Sequence, residues 1–406
     1  MVVYNSTMKN QKGQIYYSLI HFFYWMAQAS LCSFCSAFLL GNGYSSSEIG
    51  LILALGSAGS ILLEPVLADY ADHSEKMTLP EILRIITGIY LLITGLLIVL
   101  SGKSIFLTVF YVLVNVVHSA LVPVLNELNF YLEASGCEMN FGVARALGSL
   151  GYSVMSAVAG TIVELYGVRM VPILTMIVIA AVFILLCLYE VFFKKGTLKP
   201  KEKKQESTGG MIAFMKANPA FTIVSLGGLF LTFNTIITAN YLLQILQNVG
   251  GDTSDMGLGL ALAGAMEIPV MFLYHRYSRR FSSAAMLKAS AIGYILKHVI
   301  LLFSTNYAMV MFSQLFQMVS FALYLPASVA YAHDCIPAQD SVKGQALMHA
   351  MQTGAGLFAS IAGGFVIDQL GIKALLILCV VMAGIGTVLV FLFADQGGKR
   401  KEALNG

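Results

Sequence analysis

The sequence predicts an all-α membrane protein of twelve transmembrane helices arranged as two six-helix bundles. Three observations predict it. The 406 residues are 58% hydrophobic and only 11% charged, whereas a soluble domain carries roughly 25% charged residues. A bilayer needs about 20 apolar residues per helical span, and the chain holds twelve runs of that order. A basic loop from Lys194 to Lys216, with Lys195, Lys199, Lys201, Lys203 and Lys204 between its ends, separates six of those runs from the other six. The expected organisation is a bundle over 1–193, a linker over 194–216, a second bundle over 217–395 and a tail over 396–406.

The first run, 14–40, carries Tyr17, His21, Tyr24 and Gln28 at i, i+4, i+7 and i+11. That spacing puts a polar-aromatic stripe on one helical face. The second run, 47–70, opens on a polar turn and contains Glu64. The third spans 80–101. The fourth, 104–131, places Asn115 and His118 on one face, followed by Asn126, Glu127 and Asn129. The fifth, 142–166, begins with Arg145, and the sixth spans 170–193. A short hairpin between the fourth and fifth runs brings Glu127 and Arg145 to similar depth.

In the second half the runs are 217–247, 254–275, 284–303, 306–332, 343–368 and 373–394. Glu267 precedes Pro269 in the second of these, and Lys297 and His298 lie within the third. His349 falls within the fifth. An ionisable group at the bilayer centre costs ~2.5–3.5 kcal/mol on insertion scales, so each such residue marks a functional site or a structural charge pair. Desolvation raises a carboxylate's proton affinity. Glu267, with Lys297 as its counter-charge and His298 beside it, is therefore the expected proton-coupling group.

The halves repeat. The stretch from Gly43 to Leu51 reads again from Gly251 to Leu258 with one residue fewer, the same polar turn, acid and glycine opening the second helix of each half. Lys and Arg are concentrated at Lys9, Lys12, Lys76, the central loop, Arg276, Arg279, Arg280 and the tail. The opposite loops hold little beyond Lys103, Arg169 and Lys373. The positive-inside rule then places both termini in the cytoplasm.

The net charge of +3 is small and loop-borne, which argues against nucleic-acid binding. Cys32, Cys35, Cys137, Cys187, Cys335 and Cys379 are scattered and suit packing. No nucleotide loop, metal cluster or nucleophile triad is visible, so neither an enzyme nor a bound cofactor is expected.

Over nearly its whole length the chain resembles the major facilitator superfamily, in particular lactose-permease-like sugar/proton symporters and phenylpropionate-type permeases. The stretch Ala68 to Lys76 sits where that superfamily has its gating motif, and Asp72 is the retained acid. The stretch Asn140 to Tyr152 is similar to the lactose-permease fifth helix, which implies sugar binding by Arg145 and ring stacking by Tyr152. Ser149 lies within the same stretch, and Glu127 precedes Arg145 by the family's eighteen residues. Asn126 stands where phenylpropionate-type permeases carry an aspartate.

Glu267, Arg279-Arg280 and Lys297 reproduce the phenylpropionate-type spacing. The family's tenth-helix histidine falls on Gln317, its coupling glutamate on Ser320 and its eleventh-helix lysine near Gln352, so most of the usual coupling residues are replaced.

The resulting expectation is a monomeric secondary transporter of the cytoplasmic membrane. Its partners would be the lipid bilayer, a small polar solute and, in a symport, H⁺. The solute would be a sugar or glycoside held by Glu127, Arg145, Tyr152, Ser149, Asn126, His21, Tyr24 and His118. A permease for a small aromatic or organic acid is the alternative, and a drug efflux pump a more distant one.

Overall fold

The computed structural model describes residues 2–74, 77–134, 137–189, 210–337 and 340–405. The part of the basic linker over 194–209 and the side chain of Asp72 lie outside the described residues. The helices are α1 (Val2–Ala27), a π-helical turn (Gln28–Ser33), α2 (Cys35–Gly41), α3 (Ser46–His73), α4 (Leu79–Val99), α5 (Ile105–Ala134), α6 (Phe141–Tyr166) and α7 (Met170–Cys187). They continue with α8 (Met211–Ala217), α9 (Pro219–Gln247), α10 (Thr253–Ser278), α11 (Ser283–Leu302), α12 (Tyr307–Leu315), α13 (Phe321–Cys335) and α14 (Ser341–Asn405).

Among the described residues, nine helical stretches are long and apolar enough to cross a bilayer, and the bent pair Lys12–Ser33 with Cys35–Gly41 adds a tenth. Two local breaks account for the remaining crossings. Gly371 adopts φ 81° inside α14 and divides it into two spans. The run 306–332 is split into α12 and α13, 9 and 15 residues long, each too short to count alone. The result is an all-α membrane fold of twelve spans.

The chain divides into two compact units. One comprises Met1–Glu202 with Thr253–Ala261, and the other Lys203–Asp252 with Leu262–Gly406. Each has its own aromatic-rich core. Tyr16, Tyr17, Tyr24 and Tyr131 are buried in the first with Leu121, Leu125 and Leu128. Phe214, Phe221, Tyr294, Tyr324 and Tyr331 fill the second.

Lipid supplies little hydrophobic drive between helices, so close approach through small residues matters. In the first unit α1 lies against α6 at Gly148 and Gly151, where an added Cβ would meet the Trp25 ring and the Phe22 carbonyl. In the second, α9 meets α14 where Gly227 faces Val390 and Gly386.

Backbone geometry shows the repeat more sharply than sequence pattern does, and it corrects the register. Gly43 (φ 88°) is matched by Gly250 (φ 83°), not Gly251, because both sit at the positive-φ turn. Gly250 follows Gly43 by 207 residues, as Asp255 follows Glu48 in the first turn of the next helix. Tyr241, the kink in α9 (φ −121°, ψ 18°), stands at the same interval from Phe34 (φ −94°, ψ 14°), where the first span bends. The repeat is therefore free of deletion through this segment.

Candidate functional site

In the first unit the expected residues fall into two groups with different surroundings. Tyr24 and His118 are buried together, their rings stacked at 4.6 Å and 3°. Tyr24 donates its hydroxyl to the His118 carbonyl at 2.9 Å. The His118 ring meets Gln28 Oε1 through Nε2 at 2.6 Å and the Tyr90 hydroxyl through Nδ1 at 3.0 Å. The carboxamide oxygen only accepts, so Nε2 carries the proton and Nδ1 accepts from Tyr90. All the polar atoms of this imidazole are engaged within the protein.

The other group is not satisfied in this way. Tyr17 Oη, both ring nitrogens of His21 and Trp25 Nε1 are buried without hydrogen-bond partners among the described residues. They recur at i, i+4 and i+8 of α1 and so share a stripe. His21, only 2% exposed, packs edge-on against Tyr17 and Phe141. Buried polar groups without partners are uncommon, because each costs about 1–3 kcal/mol.

Beside this stripe lies Arg145, half-buried on α6. Its guanidinium sits 4.0 Å from the centroid of the Trp25 ring, and Nη1 donates to Ser149 Oγ at 2.9 Å. Ser149 is one helical turn along, which is why it can fix the guanidinium. Arg145 lies within electrostatic range of His21 and Tyr24. Glu127, half-buried on α5 beside Asn126, lies within range of Tyr17. Tyr152 is joined through its hydroxyl to Ser33 Oγ at 2.8 Å, which ties α6 to the π-helical turn. Single π turns inside helices occur frequently at functional sites.

In the second unit the expected charge pair is bridged. Lys297 is 3% exposed and donates from Nζ to Gln317 Oε1 at 2.7 Å. Gln317 Nε2 donates in turn to Glu267 Oε1 at 3.3 Å. The amide presents oxygen to the ammonium and N–H to the carboxylate, so its dipole suits both neighbours. Gln317 lies in the irregular segment between α12 and α13. Non-helical backbone at membrane depth is tolerated only where protein or a watery cavity satisfies it. Gly293 of α11 makes room here, for a Cβ on it would lie 2.6 Å from the Val319 carbonyl oxygen.

His298 is anchored differently. Nδ1 donates to the Tyr294 carbonyl at 2.8 Å, and Nε2 lies 3.1 Å from Thr238 Oγ1. His349, expected inside a span, is exposed on α14.

Two residues that the sequence pattern passes over are brought forward by the geometry. Trp25 is the chain's one tryptophan and continues the Tyr17–His21 spacing by a further four residues. The helical pattern also admits a continuation through Tyr24 and Gln28, but those two face the satisfied side. Gln317 is recognisable as a departure from the family pattern, but its bridging role depends on a helix break that apolar composition does not reveal.

Among the described residues no cluster of His, Cys, Asp or Glu is arranged to hold a metal ion. The family described as "MFS_1 like family" matches residues 14–378. The chain belongs to that family.

It is accordingly a secondary transporter of the major facilitator superfamily. A protein of Bacillus subtilis (strain 168), "Uncharacterized transporter YwbF", is 24% identical over 96% of both chains. The "Probable 3-phenylpropionic acid transporter" of Escherichia coli (strain K12) is 24% identical over 68% of this chain and 70% of its own length. Among solved structures, a mutant form of the nucleoside transporter NupG matches with a TM-score of 0.79 and 14% identity, covering 93% of this chain and 98% of that one. The POT family transporter PepTSo matches at 0.73 and 10%, covering 97% and 99%. These structural likenesses establish the fold.

Proposed function

We propose that this MFS_1 like transporter moves a small ring-bearing polar solute, a sugar or glycoside, by alternating access across the cytoplasmic membrane. The observation that carries this reading is the unsatisfied stripe of Tyr17, His21 and Trp25 beside Arg145. A hydroxylated ring needs donors, acceptors and a flat apolar surface together. Tyr17 and His21 supply groups that both donate and accept, Arg145 donates, and Glu127 accepts. Trp25 and Tyr152 supply aromatic surface, and Asn126 adds a carboxamide. Tyr24 and His118 hold the wall from behind.

Coupling to H⁺ would then rest on Glu267, with Lys297 and Gln317 stabilising its charged form and His298 fixing α11 against α9. Asp72 remains the proposed gating acid, carried by the family motif. The positive-inside distribution of Lys and Arg supports cytoplasmic termini. The protein is proposed to act as a monomer.

A second reading is favoured by one specific observation. Lys297 is a buried ammonium whose hydrogen bond goes to a neutral amide, an arrangement suited to receiving a solute carboxylate. A relative 24% identical to this chain is named for 3-phenylpropionic acid. In that reading the solute is a small aromatic acid.

Reconstituted vesicles distinguish the two readings. Uptake of a labelled galactoside that is lost in Arg145→Ala and in Glu127→Gln supports the sugar reading. Uptake of labelled phenylpropionate that survives Glu127→Gln and is lost in Lys297→Gln replaces it with the acid reading.

A further inference from the structure

The second unit contains a groove of about 260 Å³ whose lining includes none of the residues assigned above to solute or proton. Its walls come from three elements that deviate from straight helices or end nearby. Pro269 and Val270 lie where α10 carries an internal proline, Met318 and Val319 belong to the irregular segment after α12, and Ala285 and Ala289 offer only methyl groups on α11. The small side chains of Ala285 and Ala289 on either side of Met286, together with the two backbone irregularities, leave the gap.

The lining is apolar throughout, apart from the Tyr277 hydroxyl. Ala285, Ala289, Leu273 and Met318 are exposed, so the groove is open along that side. From Pro269 to Tyr277 the groove follows eight residues of α10, about 12 Å along the helix at 1.5 Å per residue.

Tyr277 and Phe281 line one end of the groove. Their chain neighbours are basic: Arg276 in the last turn of α10, and Arg279 and Arg280 in the turn that leads to α11. All three arginines are exposed, and none forms an ion pair among the described residues. Tyr277 and Phe281 are 40% and 55% exposed, as suits aromatic side chains at a membrane interface. An apolar groove long enough for part of an acyl chain, with exposed arginines next in sequence to the aromatic residues at one end, complements a molecule with an apolar tail and an anionic head. Guanidinium groups bind phosphate through paired N–H donors.

We propose that this groove binds an anionic phospholipid, one acyl chain lying along α10 and α11 and the phosphate held by Arg279 and Arg280. Occupancy would brace Met318 and Val319, the residues that follow Gln317 in the break of the tenth span. Its lining shares no residue with the proposed solute site, and it does not depend on the identity of the solute.

The test is native mass spectrometry of the purified full-length chain released from mixed micelles of phosphatidylglycerol and phosphatidylcholine. The expected result is retention of one phosphatidylglycerol in preference to phosphatidylcholine, weakened about fivefold for each arginine removed. Arg279→Gln with Arg280→Gln should abolish the preference. Ala285→Phe with Ala289→Phe, which fills the groove from its exposed side, should also abolish it while leaving the arginines in place. Added inorganic phosphate should not compete. Equal retention of the two lipids, or unchanged preference in the arginine variant, overturns the proposal. Retention that survives groove filling, or that inorganic phosphate displaces, reduces the site to a headgroup contact and overturns the groove assignment. Thermal unfolding of each variant confirms that it is folded, and both pairs of substitutions sit at exposed positions.

Discussion

At the residue scale, Arg145 is held by two dissimilar contacts, the Trp25 face and the Ser149 hydroxyl. A desolvated cation–π contact contributes about 2 kcal/mol. Trp25→Leu should therefore release the guanidinium and weaken solute binding by about tenfold or more, whereas Trp25→Phe, which retains a ring, should lose less. Equilibrium binding to the purified variants measures both. Gln317 makes the matching case in the second unit. Gln317→Leu removes the partner of a buried ammonium, and an unsatisfied buried polar group costs about 1–3 kcal/mol. Thermal unfolding should show the loss. The triple variant Gln317→Leu with Lys297→Met and Glu267→Leu should recover part of it, since replacing a whole buried polar cluster by apolar groups is often nearly neutral, whereas leaving one charge behind is not. If Lys297 were satisfied elsewhere, the single substitution would leave the unfolding temperature unchanged.

At the element scale, the first bundle relies on the approach of α1 to α6. Gly151 admits no Cβ because the Phe22 backbone carbonyl occupies the space, and backbone cannot rotate aside as a side chain can. Gly151→Val should destabilise the protein by about 1–3 kcal/mol or more through overpacking. Gly95 has nothing within 4 Å of its Cβ position, so Gly95→Ala should be neutral or stabilising by up to about 1 kcal/mol. Thermal unfolding of the two variants side by side checks the contrast.

These elements also show what the sequence could disclose. Apolar length disclosed the spans, because a bilayer imposes that length whatever the packing. It could not disclose the π turn at Gln28–Ser33 or the break between α12 and α13, since a helix and its interruption have the same composition there. The site followed the same division. The i, i+4 spacing of Tyr17 and His21 was legible, but choosing between Trp25 and Tyr24 as its continuation required knowing which face α5 covers. The family register identified Gln317 as unusual, yet only its position in the break explains how a neutral amide links Lys297 and Glu267.

At the scale of the whole molecule, the 207-residue interval that relates Gly43 to Gly250 and Phe34 to Tyr241 means that each half bends its first helix at the corresponding place. The proposed orientation, with both termini in the cytoplasm, makes a direct prediction for both halves. Single cysteines at position 103 and position 279, in a background without native cysteines, should react with an impermeant thiol reagent from opposite membrane faces. Position 279 should label only in inside-out vesicles. Labelling of both from one face would overturn the topology.

The central claim is that solute binds beside Trp25 and Arg145, and the chain supplies its own reporter, because Trp25 is its only tryptophan. The most direct measurement is the intrinsic fluorescence of the purified protein during titration with transported solute. A saturable change that tracks transport affinity and disappears in Arg145→Ala is the expected result. Saturable transport with Trp25 emission unmoved, and with Arg145→Ala still active, would contradict the account.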